Sequence, residues 1–126
     1  MTRLLLLFAA GGLGVLARYG LGGLIHRWLG TGFPYGTFVI NIVGCLMFGL
    51  VWSLAEERLV IGAETRFILL TGFMGAFTTF STYAFETTGL MANSEWRLAV
   101  ANVLGQTILG LLAIVGGMAL GRALHV

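Results

Sequence analysis

Charged side chains punctuate this chain and leave four long apolar runs between them. Arg3, the pair His26 and Arg27, the stretch from Glu56 to Arg66, Glu95 with Arg97, and Arg122 with His125 form the punctuation. Between them lie Leu4 to Ile25, Trp28 to Ala55, Phe67 to Met91 and Leu98 to Gly121. Each run is at least as long as the about 20 residues needed to cross a hydrocarbon core at about 1.5 Å per residue. The pattern predicts an all-α membrane protein with helices at about residues 4–27, 36–55, 66–91 and 97–121, in a single transmembrane domain over 1–126. The first run is longer than the apolar core of a signal peptide and is followed by others like it, so it is expected to stay in the mature protein.

Polar residues inside the runs carry the candidate chemistry. In the first, Ala10 and Gly14 are four apart and admit a close neighbouring helix, and Arg18 then interrupts the apolar sequence. A guanidinium inside a span costs about 2.5 to 3.5 kcal/mol on insertion scales, so Arg18 either snorkels to an interface or faces protein or water, where it draws anions or pins the fold. The segment GTGFPYG, residues 30–36, reads as a turn, and Thr37 is placed to cap the second helix. Asn41 lies among Val and Ile in TFVINIVG, where a carboxamide is either interhelical glue or an N–H donor offered to a passing ion.

The third run holds the densest chemistry, TGFMGAFTTFSTYAFE from Thr71 to Glu86. Gly72, Gly75, Thr78, Thr79, Ser81 and Thr82 all weaken or compete with helical bonding, which predicts a break near residues 75–79. Unwound backbone at membrane depth is tolerated only when buried in protein or lining a wet or ion-binding cavity. The alternative is an intact helix whose small residues allow close packing. Phe73, Phe77, Phe80 and Tyr83 share one helical face, interleaved with hydroxyls, and aromatic ring edges carry partial positive charge that suits a small anion. Glu86 follows near an end of the span. In the fourth run Asn102 and Gln106 share a face beside Thr107, and Gly117 with Gly121 suggests another close helix contact.

Composition narrows the classes. Hydrophobic residues make up 58% of the chain, charged residues 10%, and mean hydropathy is +0.97. That excludes a soluble domain. Seven arginines against five glutamates, spread over loops, make no basic face for nucleic acid, and without lysine there is no phosphate-binding glycine loop. The lone Cys45 supports neither a disulfide framework nor a metal cluster, and Glu56, Glu57 and Glu64 lie outside the spans without a nucleophile, so no enzyme is expected. Arg3, Arg58, Arg66 and Arg122 fall on one side against Arg27 and Arg97 on the other, a weak bias under the positive-inside rule. Such a chain is able to insert in both orientations, which makes an antiparallel pair possible.

These residues carry a resemblance. Arg18 in the first helix, GTFVIN opening the second (Gly36 to Asn41) and GFMGAFTTFSTYAFE in the third are similar to the Fluc (CrcB) fluoride channels of bacteria, and the likeness runs through the whole chain. It implies an antiparallel, dual-topology homodimer of four-helix subunits in the bacterial inner membrane, embedded in lipid, that passes fluoride down its gradient through two pores along the subunit interface. It further implies a structural, untransported Na+ on the dimer axis, held by the main-chain carbonyls of Gly75 and Thr78 from each subunit. The pore-lining aromatic pair maps to Phe80 and Tyr83 and the second-helix asparagine to Asn41, accompanied by hydroxyls at Thr79, Ser81 and Thr82; Arg18, Glu86, Asn102, Gln106 and Thr107 become vestibule or structural polar groups. The chain departs from the family pattern where STYA replaces STFS, placing a phenol at Tyr83 and Ala84 for a serine, where Ala76 replaces the second glycine of a pair, and where Leu111 replaces a fourth-helix serine.

The principal rival is a small multidrug-type, proton-coupled secondary transporter, likewise of four helices, which calls for a carboxylate deep in a span. A third class is a non-transporting assembly subunit. Against both, fluoride is small, hard and strongly hydrated, and a selective path for it must replace water with donors in a narrow slot, which is the kind of lining these residues offer.

Overall fold

A computed structural model describes residues 1–124, so His125 and Val126 lie outside the described residues. Four helical stretches are long and apolar enough to cross a membrane: Thr2–Leu29, Tyr35–Glu57, Ala63–Ala92 and Trp96–Ala123. Among the described residues there is no strand. The helices run past the apolar runs at several ends, because flanking residues such as Arg27, Arg97 and Arg122 still close backbone hydrogen bonds while their charges reach toward water.

The first crossing is α1 (Thr2–Leu29), closed by Gly30, whose φ of 78° belongs to the left-handed region that glycine enters without strain. The second is α2 (Tyr35–Trp52), continued by a wider π-helical turn over Ser53–Glu57. The third is built in pieces: α3 (Ala63–Phe67), a π-helical stretch Ile68–Met74, the single turn α4 (Gly75–Phe77), and α5 (Phe80–Ala92). The fourth is α6 (Trp96–Ala123). Large apolar side chains along α1 and α6 are exposed, among them Leu4, Phe8, Leu13, Leu16, Leu104, Leu111 and Val115. In water that surface would be prohibitive; in hydrocarbon it is the natural exterior.

Backbones approach closely through glycines. A Cβ on Gly117 would strike the Leu46 carbonyl and the Leu50 N, one on Gly49 would strike the Ile114 carbonyl, and one on Gly121 would come within 2.7 Å of Ser53 Cβ. With Gly105 against Phe38, these contacts ascend together along both helices, so α2 and α6 lie parallel, and theirs is the most extensive helix contact. Likewise Gly14 meets Phe73 and Ala76, and Gly72 meets Leu7 and Ala10, so α1 runs parallel to the first half of the third crossing. The pairs expected to pack, Ala10 with Gly14 and Gly117 with Gly121, are each at such a contact. Between the two parallel pairs sits the core of Ile40, Met74 and Phe77, ringed by Ala17, Leu21, Val43, Leu70 and Phe73.

One end of the bundle gathers charge. Arg122 forks onto Glu57 (2.6 and 2.8 Å), Arg66 pairs with Glu56 and stands over the Trp52 ring, Arg3 lies 4.0 Å over the Phe67 ring, and Arg58 donates to the Leu124 carbonyl. Arg3, Arg58, Arg66 and Arg122 thus share a side, as the four-span reading requires.

Candidate functional site

Thr78 and Thr79, between α4 and α5, have extended backbones (φ −83°, ψ 159° and φ −151°, ψ 105°). Gly44 of α2 makes room for them, since a Cβ there would overlap Thr78 Cγ2. Extended residues at this depth need hydrogen-bond partners from elsewhere, and Asn41 supplies them. Its Oδ1 accepts from Thr79 N at 2.9 Å and its Nδ2 donates to Thr79 O at 3.2 Å, so one side chain matches both polar groups of one peptide residue. The second Asn41 N–H goes to Gln106 Oε1 at 2.7 Å.

The chain of bonds continues. Gln106 Nε2 donates to Asn102 Oδ1 (2.9 Å), Asn102 Nδ2 to Thr87 Oγ1 (2.9 Å), and the Thr87 hydroxyl to the Tyr83 carbonyl (2.7 Å). Apart from the Asn41 N–H returned to Thr79 O, the donors point one way, from Thr79 N–H through α2 and α6 back to the first turns of α5. Such unidirectional chains strengthen cooperatively in a low dielectric. Asn102, fully buried at 0% exposure, lies at its centre. Asn102 and Gln106 share a face because they are four apart, as are Tyr83 and Thr87.

In front of this relay is a groove of about 390 Å³ lined by Asn41, Thr78, Thr79, Phe80, Tyr83, Gln106 and Thr107, with Gly44, Cys45, Phe48 and Ile114. Phe80 and Tyr83 meet with ring centroids 5.4 Å apart at 49°. Phe80 is 78% exposed, so nothing in a single chain holds it by burial. The Thr79 hydroxyl accepts from Thr82 N (3.2 Å), capping α5, and donates to Thr82 Oγ1 (2.8 Å), with Ser81 Oγ at 3.5 Å. Loss of this cap in Thr79→Ala is expected to cost about 1 kcal/mol, read as a lower thermal midpoint in detergent, with Thr79→Ser close to the parent.

Arg18 and Glu86 lie apart from the groove, in a larger open hollow of about 1080 Å³ that also receives His26, Arg27 and Glu95. Glu86 Oε1 accepts from Thr37 Oγ1 at 2.8 Å, while its Oε2 is buried without a partner among the described residues. This corrects the expected role of Thr37: α2 already begins at Tyr35 with Pro34 at its cap position, so Thr37 sits inside the first turn and its hydroxyl turns to the neighbouring span instead.

The candidate residues therefore fall into three places. Asn41, Thr78, Thr79, Phe80, Tyr83, Gln106 and Thr107 converge on the groove, with Asn102 behind it; Arg18 and Glu86 face the hollow; Gly75, Ser81 and Thr82 are exposed on the flank of the third crossing. Thr37 and Thr87 were missed as members. Their spacing held the only signal, since Thr37 is four before Asn41 and Thr87 four after Tyr83.

Residues 5–118 match the family described as CrcB-like protein, Camphor Resistance (CrcB). Among curated relatives, a protein of Maridesulfovibrio salexigens named fluoride-specific ion channel FluC is 52% identical over 122 residues, covering 97% of each chain. Proteins of the same name from Nitrosococcus oceani and Solidesulfovibrio magneticus are 52% and 54% identical over 113 residues, covering 90% of each chain.

Proposed function

The chain belongs to the CrcB family, and on that premise we propose that it is a fluoride-selective ion channel, not an enzyme, that lets fluoride leave the cytoplasm down its electrochemical gradient across the bacterial inner membrane. The observation that carries this reading is the groove at mid-span, where ring edges of Phe80 and Tyr83 stand beside amide and hydroxyl groups at a stretch of extended backbone. A strongly hydrated, hard anion needs donors to replace its water, and this lining offers them in a narrow apolar frame. The proton-coupled multidrug reading finds less support: among the described residues no carboxylate lines the groove, and Glu86 lies in the separate hollow.

The working unit in this proposal is an antiparallel homodimer. Gly75, Ser81 and Thr82 are exposed on a membrane-spanning element, and lipid offers their polar groups no partner. A second copy would cover them and close the groove into a pore. The third crossing is then an interrupted helix. The N–H groups that would close helical bonds to the Gly75 and Thr78 carbonyls are those of Thr79 and Thr82, and they are donated to Asn41 and to Thr79 Oγ1 instead. Those two carbonyls are thus suited to hold a Na+ on the dimer axis, a hard cation that prefers oxygen ligands. A structure determined in Na+ with no density between them would count against that site.

Fluoride efflux from liposomes, with a valinomycin shunt to carry compensating K+, tests the function. Fast, electrogenic fluoride release with chloride retained is the expected result. Release only in exchange for protons or for an organic cation would favour the transporter class, and no release would leave a structural subunit.

A further inference from the structure

The second crossing ends in a turn that its sequence disfavours. Arg58 N donates to the Ser53 carbonyl (3.0 Å) and Val60 N to the Leu54 carbonyl (2.9 Å), which reverses the chain through Leu59 at φ 55°. Helices commonly stop through such a left-handed residue, and glycine or asparagine usually supplies it, because a larger side chain crowds the backbone there. Leucine gains little from its own chain in exchange: its side chain is 80% exposed, and that of Val60 beside it 51%. A strained backbone that presents two apolar side chains outward needs a contact beyond the chain to offset it.

The level of the turn says what that contact is. The 23 residues of Tyr35–Glu57 extend about 34 Å at about 1.5 Å per residue, against a hydrocarbon core of about 30 Å. Leu59 therefore falls where acyl chains give way to headgroups. Trp52, seven residues earlier and partly exposed, is of the kind that collects at that boundary.

Charge gives the second argument. Glu57 is held by Arg122 and Glu56 by Arg66, so neither is left to neutralise Arg58 or Arg3. Arg58 gives one N–H to the Leu124 carbonyl, and Arg3 rests on the Phe67 ring; neither has a carboxylate partner among the described residues. Glu64, the remaining acidic group here, stands in the first turn of α3, where backbone N–H groups favour it. Guanidinium donors beside an apolar turn at headgroup level match a phosphate whose acyl chains lie just below it.

We propose that the turn from Arg58 to Val60 is a docking surface for an anionic phospholipid, with Leu59 and Val60 set among the upper acyl chains, Arg58 on the lipid phosphate, and Arg3 adding to the attraction from the same end of the bundle. The left-handed leucine is then a position held for the bilayer and not for the fold. This assignment needs only the four spans and is independent of what the protein conducts.

The test uses the full chain in nanodiscs of phosphatidylcholine, alone or with equal parts of phosphatidylglycerol, its Leu and Val methyls labelled with 13C. Leu59→Ile assigns the Leu59 signals by deleting them. They are expected to broaden with a nitroxide on the lipid acyl chain and little with a water-soluble gadolinium chelate. The reverse would show a turn standing in water, and protection from both would put a protein surface over it; either result overturns the proposal. Phosphatidylglycerol should raise the thermal midpoint by about 5 °C, less at high salt, and Arg58→Gln should lose most of that rise. Loss of the bond to Leu124 acts in both lipids alike, so the difference between lipids reads the phosphate contact. An increment equal to the parent's, or one reproduced by inorganic phosphate in phosphatidylcholine discs, would remove the lipid from Arg58. Leu59→Asn opposes the two explanations of the turn: the left-handed backbone prefers asparagine, whereas anchoring prefers leucine. A lower midpoint in both lipids is expected, and a higher one would show that the leucine is merely tolerated. The wild-type broadening decides the matter even if neither variant folds.

Discussion

Gly117→Val should leave no folded protein to assay. A Cβ at this position meets the Leu46 carbonyl and the Leu50 N, both main chain of α2. Overpacking usually costs about 1 to 3 kcal/mol because neighbouring side chains yield. Here the obstruction is backbone, and relief requires α2 and α6 to part along the contact that also includes Gly49, Gly105 and Gly121. Separation would pull Gln106 from Asn41 and so leave the Thr79 peptide groups supported from one side only. The expected outcome is aggregation on extraction, seen as loss of the monodisperse gel-filtration peak, whereas Gly116→Ala, one residue away and 3.9 Å from Leu46 Cδ1, should elute as the parent does. A monodisperse Gly117→Val protein would show that the helix contact is looser than its geometry requires.

Phe80→Ile has the opposite signature, a fold retained and a flux lost. The ring is 78% exposed and its neighbour is Tyr83 at 5.4 Å between centroids, so the single chain forfeits little packing when it is replaced. What disappears is the positive ring edge at the groove, and an aliphatic branch in its place offers an anion nothing in exchange for water. Efflux is expected to drop at least about a hundredfold, equal to about 2.7 kcal/mol in the barrier, with an unaltered elution profile. Undiminished efflux would remove the aromatic pair from the conduction path.

The four crossings were legible because the chain carries so few charges that each cluster marks a water-exposed end. The individual polar residues were legible too: an asparagine or glutamine amid Val, Ile and Leu stands out, as Asn41, Asn102 and Gln106 do. Their partnerships were not. Asn41 and Gln106 are 65 residues apart, and only the parallel seating of α2 on α6 brings them to 2.7 Å. Thr37 illustrates the same limit at shorter range. A threonine after a glycine and a proline is a natural cap by local rules, but helix formation from Tyr35 moved it inward and tertiary contact gave its hydroxyl to Glu86. Glycine spacing pointed to close contacts without saying which helix answers which, since Gly14 and Gly117 look alike in sequence and serve different neighbours.

The parallel pairings also govern how the protein is made. A chain leaving the ribosome releases α1 before the crossing that seats against it, and α2 before α6, so each helix enters the bilayer ahead of its mate. The first hairpin must wait in lipid with the Asn41 amide unanswered, and only delivery of the last crossing completes the set. A product truncated before α6 would therefore reach the membrane yet remain unassembled, a natural target for the proteases that clear orphaned membrane segments.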